Sequence, residues 1–156
     1  MTQRLLGYSQ QELAQSPYAR FFNPELDPLQ PQVAEALLVG PQAHELFAPA
    51  ADAASMIEPG YWPVESGYAR PPDGSIRVFC LTKMPRVTPQ MWDWWFGWHG
   101  CEAQRYKLWH PKAHVNAQRA DGRSDESYVG RISHITEYLG PKLAKGAIGF
   151  VSPSVL

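Results

Sequence analysis

Apolar and polar positions alternate most clearly over residues 75–84, SIRVFCLTKM. Ile76, Val78, Cys80 and Thr82 fall on one face and Arg77, Phe79, Leu81 and Lys83 on the other. A period of two with β-branched and aromatic content predicts a strand, ended by Pro85. The period then changes. Thr88-Pro89 reads as a helix start, with threonine at the N-cap and proline at the first helical position. Met91, Trp94, Trp95 and Trp98 follow at i, i+3, i+4 and i+7, and Trp92, Phe96 and His99 widen the face, so a helix is predicted to about Gly100. A helix apolar nearly all round is expected inside a fold or against a second layer. Asp93 is its odd residue, either turned to water or paired with Arg105 or Lys107.

Alternation returns over residues 104–110, where Arg105, Lys107 and Trp109 oppose Tyr106, Leu108 and His110, and a strand is predicted up to Pro111. His114, Asn116 and Gln118 then alternate with Val115 and Ala117 as a second, more polar strand. A charged turn around Asp121-Gly122 is predicted over 119–126. Tyr128 to Leu139 reads as a third strand, with Val129, Arg131, Ser133, Ile135 and Glu137 on one face. Gly140-Pro141 ends it, and Lys142 to Val151 is a candidate further strand.

The first part of the chain is less regular. SQQELAQ reads as a short helix with Ser9 and Glu12 forming a capping box. An extended arm anchored by Tyr18, Phe21 and Phe22 follows. Pro31 to Gly40 is helical, and Pro41 to Met56 is a helical pattern interrupted at Pro49. Residues 58–75 read as a loop with a turn at Pro72-Asp73-Gly74. The organisation expected is a helical or irregular part over 1–58 and a sheet-bearing domain over 59–156.

Composition narrows the function classes. The chain has 156 residues, 14 basic and 15 acidic, so nothing supplies the basic stripe that nucleic acid requires. No apolar run reaches membrane-spanning length, and MTQRLLGYSQQELAQ lacks the apolar core of a secretory signal. Cys80 and Cys101 form no CxxC and are expected as reduced thiols in a cytoplasmic protein. The 15 prolines are spread out, which predicts many loops rather than a low-complexity tract.

Residues 88–114 hold five of the six tryptophans and three of the five histidines, which makes this stretch the centre of any chemistry. His99, Glu102, His110, His114, His134 and Glu137 are the side chains able to contribute to a divalent-metal site. They make no HExxH, and Pro111 argues against one helix presenting both His110 and His114. Interior hydrogen-bonded histidines are the commoner reading of such a pattern. No GxSxG is present for a nucleophilic serine, and Cys101 beside His99 reads as a buried small thiol.

The blocks MWDWWFGWHG and RYKLWHPKAH, preceded by GYARPPDGSIRV and followed by GRISHITEYLGPKL, resemble the 2,4-diacetylphloroglucinol hydrolase family, which includes phloretin hydrolase. The resemblance covers roughly residues 60–151. It implies a zinc-dependent hydrolase that cleaves the carbon–carbon bond between an acyl group and a polyhydroxylated phenol ring. It also implies an α+β architecture: a helical N-terminal part, then an antiparallel sheet forming part of a Bet v 1-like helix-grip fold. Carried onto this chain, His114 and Glu137 are zinc ligands, Tyr106 is the catalytic and substrate-contacting phenol, and Asn116 is a substrate-binding amide. His99 and His110 are further metal candidates. The family's remaining ligands, an HxxxE pair on the helix that the sheet grips, have no counterpart before Leu156, so the chain is expected to be an N-terminal portion of such a hydrolase. The partner implied is a small aromatic acyl-phenol. An uncovered sheet face also makes a homodimer an expectation. The alternatives from other classes are a non-catalytic aromatic-ligand module and an inactive truncated product.

Overall fold

The computed structural model describes residues 6–124 and 127–155, which form two compact units. One contains residues 6–27 and 86–155, the other residues 28–85. This grouping is by contact, and the compositional division at residue 58 falls inside the second unit. Helices and antiparallel strands are both present, so the class is α+β. Among the described residues no helix is long and apolar enough to cross a membrane.

The second unit begins with a helix whose ends match its sequence signals. Pro31 opens α2 (Pro31–Val39), and Gly40 closes it at φ 81°, a conformation that side chains with a Cβ resist. The pattern over residues 41–56 becomes two 3₁₀ segments, His44–Leu46 and Ala50–Ile57, rather than an α-helix. Pro49 separates them, and none of the four positions before it builds a full α-turn. The predicted strand is shorter than expected, β2 (Arg77–Cys80), and its partner β1 (Ser66–Ala69) lies in the stretch read as loop. SGYA has no alternation to announce a strand; pairing Ser66 to Cys80 and Ala69 to Arg77 makes it one. Phe79, Phe47, Val64 and Ala69 pack together as this unit's core, and the Arg77 guanidinium donates to the carbonyls of His44 (3.2 Å) and Phe47 (2.9 Å).

The first unit carries the Trp-rich stretch. Its arm starts with α1 (Gln10–Gln15), where the Ser9–Glu12 capping box forms as predicted. Glu12 also accepts from Lys107 Nζ at 2.9 and 3.0 Å, and the Tyr8 hydroxyl donates to the Gln104 carbonyl at 2.8 Å. The arm is therefore tied to the helices it lies against by long-range polar contacts. α3 (Pro89–His99) has Thr88 at its N-cap and Pro89 at its first position. It is not buried all round. Trp92 and Trp94 are 39% and 43% exposed, and burial begins only at Trp95. Asp93 pairs with neither Arg105 nor Lys107; it accepts the Tyr128 hydroxyl.

A turn at Gly100–Glu102 leads into α4 (Ala103–Trp109), which corrects the strand predicted over 104–110. The apparent alternation was six residues long, too short to separate the two periods, and Gln, Arg, Lys and Leu are good helix formers. The helix adds an i,i+3 ion pair, Glu102–Arg105 at 3.1 Å. β3 (His114–Arg119), β4 (Ile132–Leu139) and β5 (Lys142–Gly149) then make one antiparallel sheet in that order. The predicted third strand starts four residues late because Gly130 turns the chain at φ 76°. Gly140, at φ 61°, makes the tight connection to β5, which confirms the further strand. The charged turn predicted over 119–126 lies partly outside the described residues; its described part turns at Gly122, φ 72°. Neither Cys80 nor Cys101 is in a disulfide among the described residues.

Candidate active site

The β3–β4 register sets up the site. Opposed residues share a face of the sheet, and neighbours along a strand take opposite faces. Arg119 opposes Ser133, Ala117 opposes Ile135, and His114 opposes Glu137. A bulge between His114 and Asn116 inserts one extra residue, which returns His114 to the face of Ala117 and Arg119. Strict alternation, as read from the sequence, would put His114 with Asn116 instead. Asn116 pairs with Thr136 and so lies on the other face of the ladder from Glu137.

α4 lays Tyr106 over this face. The Tyr106 ring stacks on the His114 ring with centroids 3.7 Å apart and planes 5° from parallel. Its hydroxyl donates to Glu137 Oε2 at 2.7 Å, and His114 Nε2 lies 3.6 Å from the same oxygen. Two of the residues singled out in the sequence therefore converge on the carboxylate of a third. Tyr106 is 3% exposed and His114 9%. Burial, and then the hydrogen bond to the Glu137 carboxylate, push the Tyr106 phenol well above its ordinary value, so it stays protonated through neutral pH. Burial pulls the His114 imidazole down; its hydrogen bond to Tyr106 and the Glu137 charge oppose that without reversing it.

The tautomer of His114 follows from its partner. Nδ1 lies 2.9 Å from the Tyr106 carbonyl oxygen, which can only accept, so Nδ1 carries the proton and Nε2 presents its lone pair toward Glu137. A backbone carbonyl orienting an imidazole in this way is the support that metal-ligating histidines receive. Two ligands each about 2 Å from one zinc ion in a tetrahedral arrangement stand roughly 3.4 Å apart, close to the separation seen between Nε2 and Oε2. The donor chemistry and spacing of His114 and Glu137 thus fit a pair of zinc ligands. Among the described residues no group of three or more His, Cys, Asp or Glu side chains gathers.

The other candidates are distributed around it. His99 is 4% exposed, lies parallel to Tyr106 on the α3 side (6.1 Å, 20°), and stacks on Trp95 (5.3 Å, 10°). Its Nδ1 donates to the Trp95 carbonyl at 2.6 Å, and burial lowers its pKa. Trp109 meets both His99 (4.8 Å) and His114 (5.4 Å) edge to face. His110 lies 5.6 Å from His114 and buries an Nδ1 with no hydrogen-bond partner. Glu102 is paired to Arg105, and His134 opposes Gln118 on the face away from Glu137. Sequence reasoning assigned nothing to Arg119, Ser133 or Trp109, although the alternation that runs through Ala117 would have placed Arg119 on its face.

The DAPG hydrolase PhiG domain model matches residues 47–156, which include every residue of this cluster. The chain belongs to that family. It is 34% identical over 165 aligned positions to a 2,4-diacetylphloroglucinol hydrolase of Pseudomonas sp, covering 99% of this chain and 55% of that protein. A 2,4-diacetylphloroglucinol hydrolase of Pseudomonas protegens (strain DSM 19095 / LMG 27888 / CFBP 6595 / CHA0) is likewise 34% identical, with 99% and 53% covered. A phloretin hydrolase of Eubacterium ramulus is 32% identical over 105 positions, 65% of this chain and 38% of that one. The chain spans about half the length of the curated relatives it matches.

Proposed function

We propose that this chain supplies Tyr106, His114 and Glu137 to the active site of a zinc-dependent hydrolase that cleaves the carbon–carbon bond between an acyl group and a polyhydroxylated phenol ring. The observation that carries the reading is the convergence of Tyr106 and His114 on Glu137 Oε2, at 2.7 Å from the phenol and 3.6 Å from the imidazole. The hydrolase names of the relatives support the substrate class. The reading also takes the β3–β4–β5 sheet as part of a Bet v 1-like helix-grip fold, for which its antiparallel order is the support.

In this reading His114 and Glu137 hold zinc. A zinc ion bound there would supply polarisation of a carbonyl oxygen and ionisation of water near neutral pH. Tyr106 serves as a neutral donor. Its raised pKa keeps the proton on the phenol, and Glu137 fixes the direction of the hydroxyl. On substrate binding the phenol would turn its one O–H from Glu137 to a substrate oxygen and steady charge that builds there. Water adds its hydroxyl to the acyl carbon as the bond to the ring breaks, and a proton replaces the acyl group on the ring carbon. The products are a carboxylic acid and the deacylated phenol. Trp95 and Trp109 pack against the His99 imidazole and Trp109 against that of His114, which puts apolar surface beside both rings.

The test is acid release from 2,4-diacetylphloroglucinol in the presence of zinc, with zinc affinity measured in parallel by competition with a chelating dye. His114→Ala and Glu137→Gln should each weaken zinc binding by about tenfold or more, because even an outer-shell partner is worth that much. Tyr106→Phe should leave zinc binding in place and lower acid release. Folded, zinc-loaded protein that releases no acid would end the hydrolase reading. Zinc affinity unchanged in His114→Ala would end the ligand assignment.

A further inference from the structure

Arg119 is buried (3% exposed), and among the described residues its acceptors are carbonyls and a hydroxyl rather than a carboxylate. Its Nη2 donates to the carbonyls of Gly97 (3.0 Å) and Phe96 (3.3 Å), and its Nη1 to Ser133 Oγ at 3.1 Å. Ser133 Oγ donates in turn to the Gly100 carbonyl at 3.2 Å. The acceptors are the orphan carbonyls at the end of α3, where the helix dipole places partial negative charge. The guanidinium also lies over the Phe150 ring at 5.3 Å. Burying an unpaired cation is costly unless such groups replace its water. The arrangement therefore commits Arg119 to one location, the last turn of α3.

That turn carries His99 and leads through Gly100 into α4, which carries Tyr106. Arg119 and Ser133 are opposed in the β3–β4 register, on the face that also carries His114 and Glu137, with Ala117 and Ile135 between. One face of the ladder thus holds the end of α3 at one end and receives the α4 phenol at the other. There is no slack between them. A Cβ on Gly100 would come within 3.1 Å of Ser133 Oγ, so the turn already lies against the strand.

We infer that Arg119 and Ser133 are positioning residues: they fix the end of α3 on the sheet and, through His99 and the start of α4, set the Tyr106 ring over His114 and its hydroxyl toward Glu137. Calling the trio a site rests on the proposed function. The positioning itself is a statement about geometry, and its test does not need turnover.

The test is NMR of the histidine rings in uniformly ¹⁵N-labelled full chain, where long-range ring couplings report which nitrogen is protonated. Wild type should show His99 and His114 each held with the proton on Nδ1, assigned by loss of the signals in His99→Gln and His114→Gln. Arg119→Met and Ser133→Ala should convert both rings to averaged tautomers while far-UV circular dichroism stays native, and Arg119→Lys should restore the pattern only in part. Rings that keep the wild-type pattern in folded Ser133→Ala and Arg119→Lys overturn the inference, even if those variants are less stable. Should Arg119→Met fail to fold, the two milder variants decide the matter. Loss of zinc binding or of acid release with the ring pattern intact would count against the proposed function and not against the positioning.

Discussion

Replacing Tyr106 with phenylalanine separates its two contacts. The ring should keep its place against His114, since the stack at 3.7 Å needs no hydroxyl. What is lost is the hydrogen bond to Glu137 at 2.7 Å. A bond to a charged acceptor contributes roughly 1.5–3 kcal/mol. The Glu137 side chain is 22% exposed, so water can replace part of the phenol, which points to the low end, about 1.5 kcal/mol. Tyr106→Ala also removes the ring from a buried position and should cost ~3–5 kcal/mol. Urea unfolding followed by tryptophan fluorescence measures both, and a double-mutant cycle with Glu137→Ala isolates the bond. In the Glu137→Ala background, Tyr106→Phe should cost under about 0.5 kcal/mol, the level at which independent sites add. The pH dependence gives a second reading of the same bond. The folded phenol has a raised pKa, so its contribution is complete below the ordinary value of 10.0 and is lost as pH rises beyond it. The difference between wild type and Tyr106→Phe should be flat below that value and shrink above it. Equal costs of Tyr106→Phe with and without Glu137 would refute the hydrogen bond as the source, and equal costs for phenylalanine and alanine would refute the stack.

The buried imidazoles predict an acid limb. Burial holds His99 and His114 below the ordinary 6.5 despite their carbonyl hydrogen bonds, so the stability they confer is complete above that value and is lost as pH falls below it. In metal-free buffer the urea midpoint should drop on acidification, and His99→Gln should make that drop shallower. Gly100→Ala should cost about 1 kcal/mol or more by pressing a methyl group on Ser133 Oγ at 3.1 Å, and less in a Ser133→Ala background, where the next contact is at 3.9 Å. Thermal unfolding of the four-variant set reads this out. Gly140→Ala should cost roughly 1 kcal/mol because the turn between β4 and β5 needs φ 61°, with nothing nearby for the methyl group to strike.

Local chemistry accounts for most of what could be read before the structure. The capping box at Ser9, the Thr88-Pro89 helix start, the Gly40 stop and the Gly140-Pro141 turn depend on a few adjacent residues, and each forms as written. Tyr106, His114 and Glu137 were also nameable, because the RYKLWHP and SHITEYLG blocks carry a family resemblance that local pattern alone does not supply. The misreadings share a cause. Six residues cannot distinguish a period of two from 3.6, so α4 read as a strand. SGYA has no period at all, so β1 was invisible until β2 paired with it. The aromatic run of α3 suggested full burial, but how much of a helix is covered is settled by its neighbours, and Trp92 and Trp94 have few.

The face of each side chain in the site was a tertiary decision. One extra residue in β3 moves His114 onto the face of Ala117 and leaves Asn116 on the other, and no property of HVN signals a bulge. Arg119 carried no distinguishing mark beside the other charges of its turn. Only the docking of α3 on the ladder gives it carbonyls to hold and makes it part of the site's support. The chain alone determined which side chains suit the proposed chemistry and where α1, α2 and α3 begin, since those depend on residue type and near neighbours. The register between strands whose partners lie 14 to 23 residues apart in sequence and the seating of helices on them decided which of those residues meet, because those contacts exist only once distant segments pack.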